Sequence, residues 1–245
     1  MALPCVVRAA ANHEARRDTA PIDILLLHYT GMVSEETTLQ RLCAAGSGVS
    51  CHYFVGEDGS IVQMVAENER AWHAGVSVWR GETDINSRSI GIEIANPGHE
   101  YGYPSIPEAQ MAAVVELCRD VVGRNTIPAR NVLAHSDVAP TRKSDPGEKF
   151  DWKRLYEAGI GHWVEPEPSI GGPGLQAGDK GEVVAELQAR FAEYGYGLKV
   201  NGDYDNLTVA VVTAFQRHFR PARVDGIADR STLATLERLI AALAG

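Results

Sequence analysis

The stretch IDILLLHY, residues 22–29, is a short apolar run that lies between Pro21 and Gly31. A run of this length between a proline and a glycine is typical of a buried β-strand. Its last apolar residues lead into His28, and a histidine that closes a buried strand is usually a hydrogen-bonded structural residue. The run therefore predicts a strand inside a sheet, and the role of His28 depends on which other side chains reach the same edge.

The segments around this strand predict both helices and strands. A helix is expected where a capping residue precedes helical periodicity, and a hairpin where Asp-Gly separates two apolar runs. In chain order the predicted elements are a helix at 35–45, a hairpin at 50–55 and 60–65, a strand at 89–95, a helix at 105–123 and a strand at 131–134. This order predicts an α/β fold of the mixed α+β kind, with a central mixed sheet flanked by helices.

A change of composition divides the chain. Proline and glycine dominate EPEPSIGGPGL, residues 165–175, which predicts a linker between a domain of residues 1–164 and a smaller domain of residues 176–245. The smaller part has helix-like stretches at 181–194, 208–219 and 231–243. Because it offers no catalytic cluster, we expect a small three-helix binding domain.

The smaller part contains an internal repeat. The pattern VNG-x-x-D-x-x-T, which runs from Val200 to Thr208, recurs as VDG-x-x-D-x-x-T from Val224 to Thr232. Each copy predicts a glycine turn followed by a helix start at which the threonine caps or opens the helix.

Charge and composition exclude some classes of protein. The net charge of -9 argues against a nucleic-acid partner, which needs a basic patch. The four cysteines lie far apart, as expected for thiols in a reducing compartment. No apolar run has the length of a signal peptide or a transmembrane segment, so a cytoplasmic location is expected, or the periplasm or cell envelope if an export signal was removed. The oligomeric state stays open.

Three residues could together hold a metal ion. His28 and His135 each close a short apolar strand, and Asp145 precedes Pro-Gly, where it could equally be a turn residue. Two imidazoles and a carboxylate form a three-ligand set of the kind that catalytic zinc uses, with its fourth position left for water. Other triplets remain open because the chain has eight histidines, among them His52 and His73.

Two charged residues could act beside such a metal. In IGIEI, residues 90–94, the isoleucines share one face, so Glu93 projects from the other, where Gly91 leaves space. Glu93 could be a general base or a solvated surface carboxylate. Lys143 lies two residues before Asp145 and would point to the same side of an extended segment. It could stabilise an oxyanion or be an ordinary surface lysine.

Four blocks of the sequence, in this order, resemble the signature of the N-acetylmuramoyl-L-alanine amidase family, whose zinc amidase fold is shared with animal peptidoglycan recognition proteins. The blocks are ILLLHYT (24–30), AWHAGVSVW (71–79), SIGIEI (89–94) and AHSDVAPTRKSDPG (134–147). The resemblance implies one zinc ion per chain on His28, His135 and Asp145, with Glu93 as general base and Lys143 as oxyanion stabiliser. Some relatives have cysteine at the position of Asp145.

Residues 176–245 resemble the peptidoglycan-binding domain that is often appended to cell-wall hydrolases. The shared marks are GD-x-G at 178–181, LQ at 187–188, FQ at 215–216 and the two repeat copies. Together the two resemblances imply hydrolysis of the amide bond between N-acetylmuramic acid and L-alanine, in peptidoglycan or in anhydro-muropeptides.

The second block suggests residues that contact the substrate. Trp72, His73 and Asn86 lie in or near AWHAG and are predicted to line the sugar or peptide groove, although Trp72 could equally be a core aromatic residue. Two other functions are weighed. A non-catalytic peptidoglycan receptor would typically lack one of the ligands, and a zinc peptidase acting on the stem peptide would carry His-Glu-x-x-His, which this sequence lacks.

Overall fold

A six-stranded sheet organises the first two-thirds of the chain in the computed structural model, which describes residues 5–17, 21–168 and 172–243. Its strands are β1 (Val6–Val7), β3 (Ile24–Tyr29), β4 (Tyr53–Val55), β5 (Ile61–Gln63), β7 (Ser89–Ile94) and β8 (Val132–Ala134), in the order β1-β5-β4-β7-β3-β8. The strands β2 (His13–Ala15) and β6 (Glu69–Ala71) form a separate antiparallel pair. Only β4 and β5 pair in antiparallel fashion within the large sheet, so the predicted mixed sheet is confirmed.

Strand β3 lies between β7 and β8 and is parallel to both. Parallel strands that are covered on both faces carry continuous apolar runs, which is why this strand has four apolar residues in succession. The register pairs His28 with Glu93 and Leu27 with Ala134. The carboxyl ends of these three strands therefore meet at one edge of the sheet.

Eight α-helices surround or follow this sheet in the described part of the chain. They are α1 (Glu35–Cys43), α2 (Ile85–Arg88), α3 (Glu108–Asn125), α4 (His135–Val138), α5 (Trp152–Glu157), α6 (Glu182–Tyr194), α7 (Asn206–Phe219) and α8 (Arg230–Ala242). Ser34 caps α1, and α3 begins directly after Pro107. The long helices and the hairpin are confirmed with shifted ends. Elements of four to six residues, such as α2 and α4, were not predicted because they are too short to show a periodicity.

The helices α6, α7 and α8 make up the C-terminal part, and the repeat closes around two glutamines. The side-chain oxygen of Gln188 accepts hydrogen bonds from the backbone nitrogens of Asn201 and Gly202, both at 2.9 Å. Its nitrogen donates to Thr208 Oγ1 at 3.0 Å. Gln216 makes the equivalent bonds in the second copy. The motif residues of this part thus hold its loops to its helices.

The helix caps in each repeat differ from the prediction. Asp205 caps α7 by accepting a hydrogen bond from the backbone nitrogen of Thr208 at 2.9 Å, and Asp229 caps α8 by accepting from Thr232 at 2.8 Å. The threonines lie three residues inside the caps. Of the two predicted roles of the threonine, capping was wrong, because the aspartate three residues earlier is the cap, whereas the threonine does lie in the first turn of each helix.

The C-terminal part packs directly on the sheet-containing part. Asp137 in α4 accepts a hydrogen bond from Tyr196 Oη at 2.8 Å and pairs with His218 Nδ1 at 2.7 Å. The ring of Trp152 stacks on His218 with centroids 3.7 Å apart, and buried residues of both parts form one continuous apolar cluster. The domain boundaries remain a prediction, and Ser169, Ile170 and Gly171 of the predicted linker lie outside the described residues.

All four cysteines are free thiols, two of them buried. Among the described residues, no helix combines the length and the apolar character that crossing a bilayer requires.

Candidate metal centre and active site

Three buried side chains converge where β3 and β8 end. His28 is 1% exposed, His135 2% and Asp145 5%. The two Nδ1 atoms are 2.8 Å apart, and Asp145 Oδ2 lies 3.2 Å from His28 Nδ1 and 3.0 Å from His135 Nδ1. The parallel strands bring the histidines together, and a hydrogen bond from the Ser136 nitrogen to the Asp145 carbonyl at 3.1 Å holds the aspartate beside them.

The chemistry of this donor set fits a zinc ion. His135 Nε2 is 3.0 Å from the carbonyl oxygen of Ala74. Because a carbonyl only accepts hydrogen bonds, Nε2 carries the hydrogen, and in the neutral imidazole Nδ1 presents a lone pair. Tetrahedral zinc with ligands at about 2.0–2.1 Å places neighbouring ligand atoms about 3.3 Å apart, close to the separations found here. A cation among these three atoms would relieve the repulsion between their lone pairs.

The pKa values of the cluster support lone-pair donors. Burial lowers the pKa of His28 to about 4, and the neighbouring His135 acts in the same direction. Burial raises the pKa of Asp145, but the neighbouring His135 and His28 outweigh it and keep that pKa below its ordinary value. At neutral pH the cluster therefore contains a neutral His28 and an ionised Asp145.

Glu93 lies beside the cluster on the neighbouring strand. Because Glu93 and His28 are partners in the parallel register, their side chains leave the sheet on the same face. Burial, and then the charge of Asp145, raise the pKa of Glu93 to about 8, while Lys143 opposes the shift. The Oε2 atom of Glu93 is buried and has no hydrogen-bond partner among the described residues.

The space beside Gly91 serves a different residue from the one expected. A Cβ atom at Gly91 would lie 2.5 Å from the ring of His73. The glycine therefore accommodates His73, and the expectation that it makes room for Glu93 was wrong. His73, in the loop after β6, can approach the sheet closely because β7 has no side chain at Gly91.

One pocket, with a volume of about 290 Å³, contains the cluster and the two predicted catalytic residues. His28, His135, Asp145, Glu93 and Lys143 all line it. A second cavity of about 340 Å³ shares Tyr29, Thr30, Gly31, Lys143 and Asp145 with the first. The cluster therefore lies in a groove that adjoins the second cavity at Asp145 and Lys143.

The three residues predicted to contact substrate differ in their placement. Trp72 lines the pocket, and its Nε1 is buried without a hydrogen-bond partner among the described residues. His73 also lines the pocket but is only 8% exposed. Asn86 is not among the lining residues, and its Oδ1 accepts from the backbone nitrogens of His73 at 3.1 Å and Ala74 at 2.8 Å. This placement gives no support to direct contact between Asn86 and substrate.

Some residues around the cluster were not found from the sequence. The carbonyl of Ala74 also accepts from Arg142 Nη2 at 2.9 Å, and Ser89 lies behind His73. The sequence does not show these contacts. The carbonyl of Ala74 is a backbone group that every residue has, and a single serine in a predicted strand is common. His52, which was kept open as a ligand, instead bonds the Gly91 nitrogen and the Glu69 carbonyl.

Comparison with known proteins assigns the chain to a protein family. Residues 18–148 match the family model described as N-acetylmuramoyl-L-alanine amidase, and residues 180–236 match that of a peptidoglycan binding domain. The chain belongs to the N-acetylmuramoyl-L-alanine amidase family. This amidase is 37% identical over 232 residues to the N-acetylmuramoyl-L-alanine amidase AmiD of Escherichia coli (strain K12), covering 89% of the chain and 82% of the relative.

Solved structures share the whole architecture of this amidase. The complex of E. coli AmiD with the substrate anhydro-N-acetylmuramic acid-L-Ala-D-gamma-Glu-L-Lys has a TM-score of 0.77 at 35% identity, with 96% of this chain and 93% of that chain covered. Pseudomonas aeruginosa AmpDh3 in complex with anhydromuramic pentapeptide gives 0.77 at 32% identity, with 96% of each chain covered. The predictions of the family, the fold and an amidase that hydrolyses a carbon–nitrogen bond are confirmed.

Proposed function

We propose that this amidase hydrolyses the amide bond between the lactoyl group of N-acetylmuramic acid and L-alanine, using one zinc ion held by His28, His135 and Asp145. The observation that carries the assignment of the metal is the convergence of three donor atoms within 3.2 Å of one another in a groove. The ligands named for the AmiD and AmpDh3 complexes are anhydro-muropeptides, which supports substrates of this class.

Zinc, when bound, supplies Lewis-acid polarisation of the scissile carbonyl and makes water more acidic. Glu93 takes the proton of the attacking water and passes it to the departing amine of L-alanine. A dication held by the three candidate ligands would lower the pKa of Glu93 from about 8 and favour the carboxylate that a base requires. Glu93 lines the same pocket as the three candidate ligands, which supports this role.

Lys143 stabilises the negative charge that develops on the scissile carbonyl oxygen. It lines the same pocket as the cluster and Glu93, and it also lines the adjoining cavity. An ammonium group fixed where charge develops acts strongly in a site from which water is partly excluded.

The metal and the scissile bond are tested together. Protein freed of metal by a chelator should not cleave anhydro-N-acetylmuramic acid linked to L-Ala-D-Glu, and one equivalent of zinc per chain should restore cleavage. Mass spectrometry should find the intact dipeptide with a free amine on alanine. Full activity in a preparation that contains no metal contradicts the metal assignment, whereas a cut inside the stem peptide identifies a peptidase.

We further propose that the C-terminal part, residues 176–245, binds peptidoglycan. The support is the family match over residues 180–236. A second attachment point raises the effective concentration of the active site along a polymer. The test uses the full chain carrying Glu93→Ala, so that the polymer is not degraded during the measurement.

This variant should stay bound to insoluble sacculi when excess soluble anhydro-muropeptide fills the active-site groove. Retention under these conditions requires an attachment outside the groove. Complete release by the soluble competitor shows that the groove is the sole attachment and removes the binding role.

A further inference from the structure

A chain of hydrogen bonds leads from the candidate ligand His28 to the backbone of α2. His28 Nε2 is 3.0 Å from His73 Nδ1, His73 Nε2 is 3.2 Å from Ser89 Oγ, and Ser89 Oγ donates to the carbonyl of Ile85 at 2.7 Å. Every side chain in this series is buried. Its polar atoms therefore depend on one another for hydrogen bonds.

The last bond fixes the direction of the others. Since the Ile85 carbonyl can only accept a hydrogen bond, the Ser89 hydroxyl donates its hydrogen to that carbonyl and accepts a hydrogen bond from His73 Nε2. In the neutral ring, His73 Nδ1 is then the unprotonated nitrogen and accepts from His28 Nε2. A neutral His28 with its hydrogen on Nε2 presents the lone pair of Nδ1 to His135 and Asp145.

The same short segment fixes the second histidine. Ala74, the residue after His73, accepts from His135 Nε2 through its carbonyl at 3.0 Å. The Oδ1 atom of Asn86 accepts from the backbone nitrogens of both His73 and Ala74. One loop thus orients both imidazoles of the cluster, and Asn86 holds the loop.

We propose that His73 and Ser89 are positioning residues that hold His28 in the tautomer required for metal binding. The inference rests on the proposed zinc site. Both ring nitrogens of His73 are already engaged within the protein, which leaves neither for the sugar or peptide contact predicted from the sequence. The close approach of the ring to Gly91 keeps it in this orientation.

Four variants test the proposal. His73→Phe keeps a ring but removes the acceptor, and His73→Asn returns an oxygen near the position of Nδ1. Ser89→Ala removes the far end of the chain. Ser136→Ala is the matched control, because Ser136 is an equally buried serine next to the other candidate histidine and its Oγ has no partner among the described residues.

The first measurement is zinc affinity by competition with a chromogenic chelator. Loss of a hydrogen bond behind a metal-bound histidine typically costs about 10- to 100-fold in metal affinity. We expect a loss in this range for His73→Phe and near its lower end for Ser89→Ala. His73→Asn should recover much of the affinity, and Ser136→Ala should match the unaltered protein.

The second measurement is the tautomer itself, from long-range ¹H–¹⁵N NMR spectra of histidine-labelled, metal-free protein. The hydrogen of His28 should lie on Nε2 in the unaltered protein and be divided between the two nitrogens in His73→Phe. This readout needs neither zinc nor turnover. If His73→Phe fails to fold, Ser89→Ala and His73→Asn carry the test.

The outcomes separate the two proposals. A natural-sequence protein that binds no zinc contradicts the proposed function. If all four variants bind zinc as tightly as the unaltered protein, or if His28 carries its hydrogen on Nδ1, His73 and Ser89 do not have the positioning role. The proposed zinc site is not contradicted by either result.

Discussion

Replacing Tyr196 with phenylalanine should destabilise the whole chain, because its hydroxyl serves a buried carboxylate across the interface between the two parts. Tyr196 Oη donates to Asp137 Oδ1 at 2.8 Å. Asp137 is fully buried, and its Oδ2 also accepts from the Ala134 nitrogen at 2.8 Å. Tyr196→Phe preserves the packing of the ring and removes one of the few donors to this carboxylate.

The size of the effect follows from the charge of the acceptor. Hydrogen bonds to charged groups contribute about 1.5–3 kcal/mol, whereas those between neutral groups contribute about 0.5–1.5 kcal/mol. Tyr204→Phe is the matched control, since Tyr204 is equally buried and donates to the neutral carbonyl of Gly226 at 2.8 Å. For a chain of this size, the loss in Tyr196→Phe should lower Tm by about 3–12 °C.

Urea unfolding gives the free energies of unfolding of both variants under the same conditions. We expect a single transition that moves further for Tyr196→Phe than for Tyr204→Phe. Equal shifts would show that the bond to Asp137 contributes no more than a bond to a neutral carbonyl, and two separate transitions in the unaltered protein would show that the two parts do not unfold together.

Three further predictions concern the site and the C-terminal part. Glu93→Ala should retain zinc and lose about 100- to 10,000-fold in turnover, whereas His28→Ala should also lose the metal; equal zinc contents by elemental analysis would refute this division of roles. Gly91→Ala places a methyl group against the ring of His73, which should lower the free energy of unfolding by about 1–3 kcal/mol and weaken zinc binding. An unchanged Tm would contradict the close contact between Gly91 and His73. Deleting residues 176–245 exposes the interface between the two parts and should lower Tm and slow the hydrolysis of both soluble and insoluble substrates. If the C-terminal part were a freely tethered module, its loss would slow the hydrolysis of insoluble substrate alone.

The core of the sheet could be predicted from the sequence because it depends on a local pattern, since four successive apolar residues predict a buried strand. Side chains at strand ends can converge, but the choice of His28, His135 and Asp145 among the possible triplets came from the resemblance to the amidase family. The structure brings these three together with Glu93 and Lys143 in one pocket. Their roles in catalysis remain predictions.

Contacts between distant parts of the chain were not predictable in the same way. The proline and glycine content of residues 165–175 indicates how freely a connecting segment can bend, but not whether the parts it connects adhere to each other. Their adhesion depends on Asp137, Tyr196 and His218, three ordinary residues that are separated by up to 81 positions. Likewise, the use of Gly91 by His73 is a contact across the fold that strand periodicity does not show.

The two glutamines of the C-terminal part limit which substitutions this part can accept. In each copy the carboxamide both accepts from backbone nitrogens and donates to oxygens of its own loop. Glutamate has nearly the same shape, but its acceptor-only carboxylate would face those loop oxygens with no hydrogen to give. The identities of Gln188 and Gln216 are therefore determined by the hydrogen bonds that hold each loop to its helix, and do not depend on the polymer that the domain binds. These two residues of the fingerprint encode the architecture of the domain, and selectivity for a particular glycan or peptide has to come from other positions.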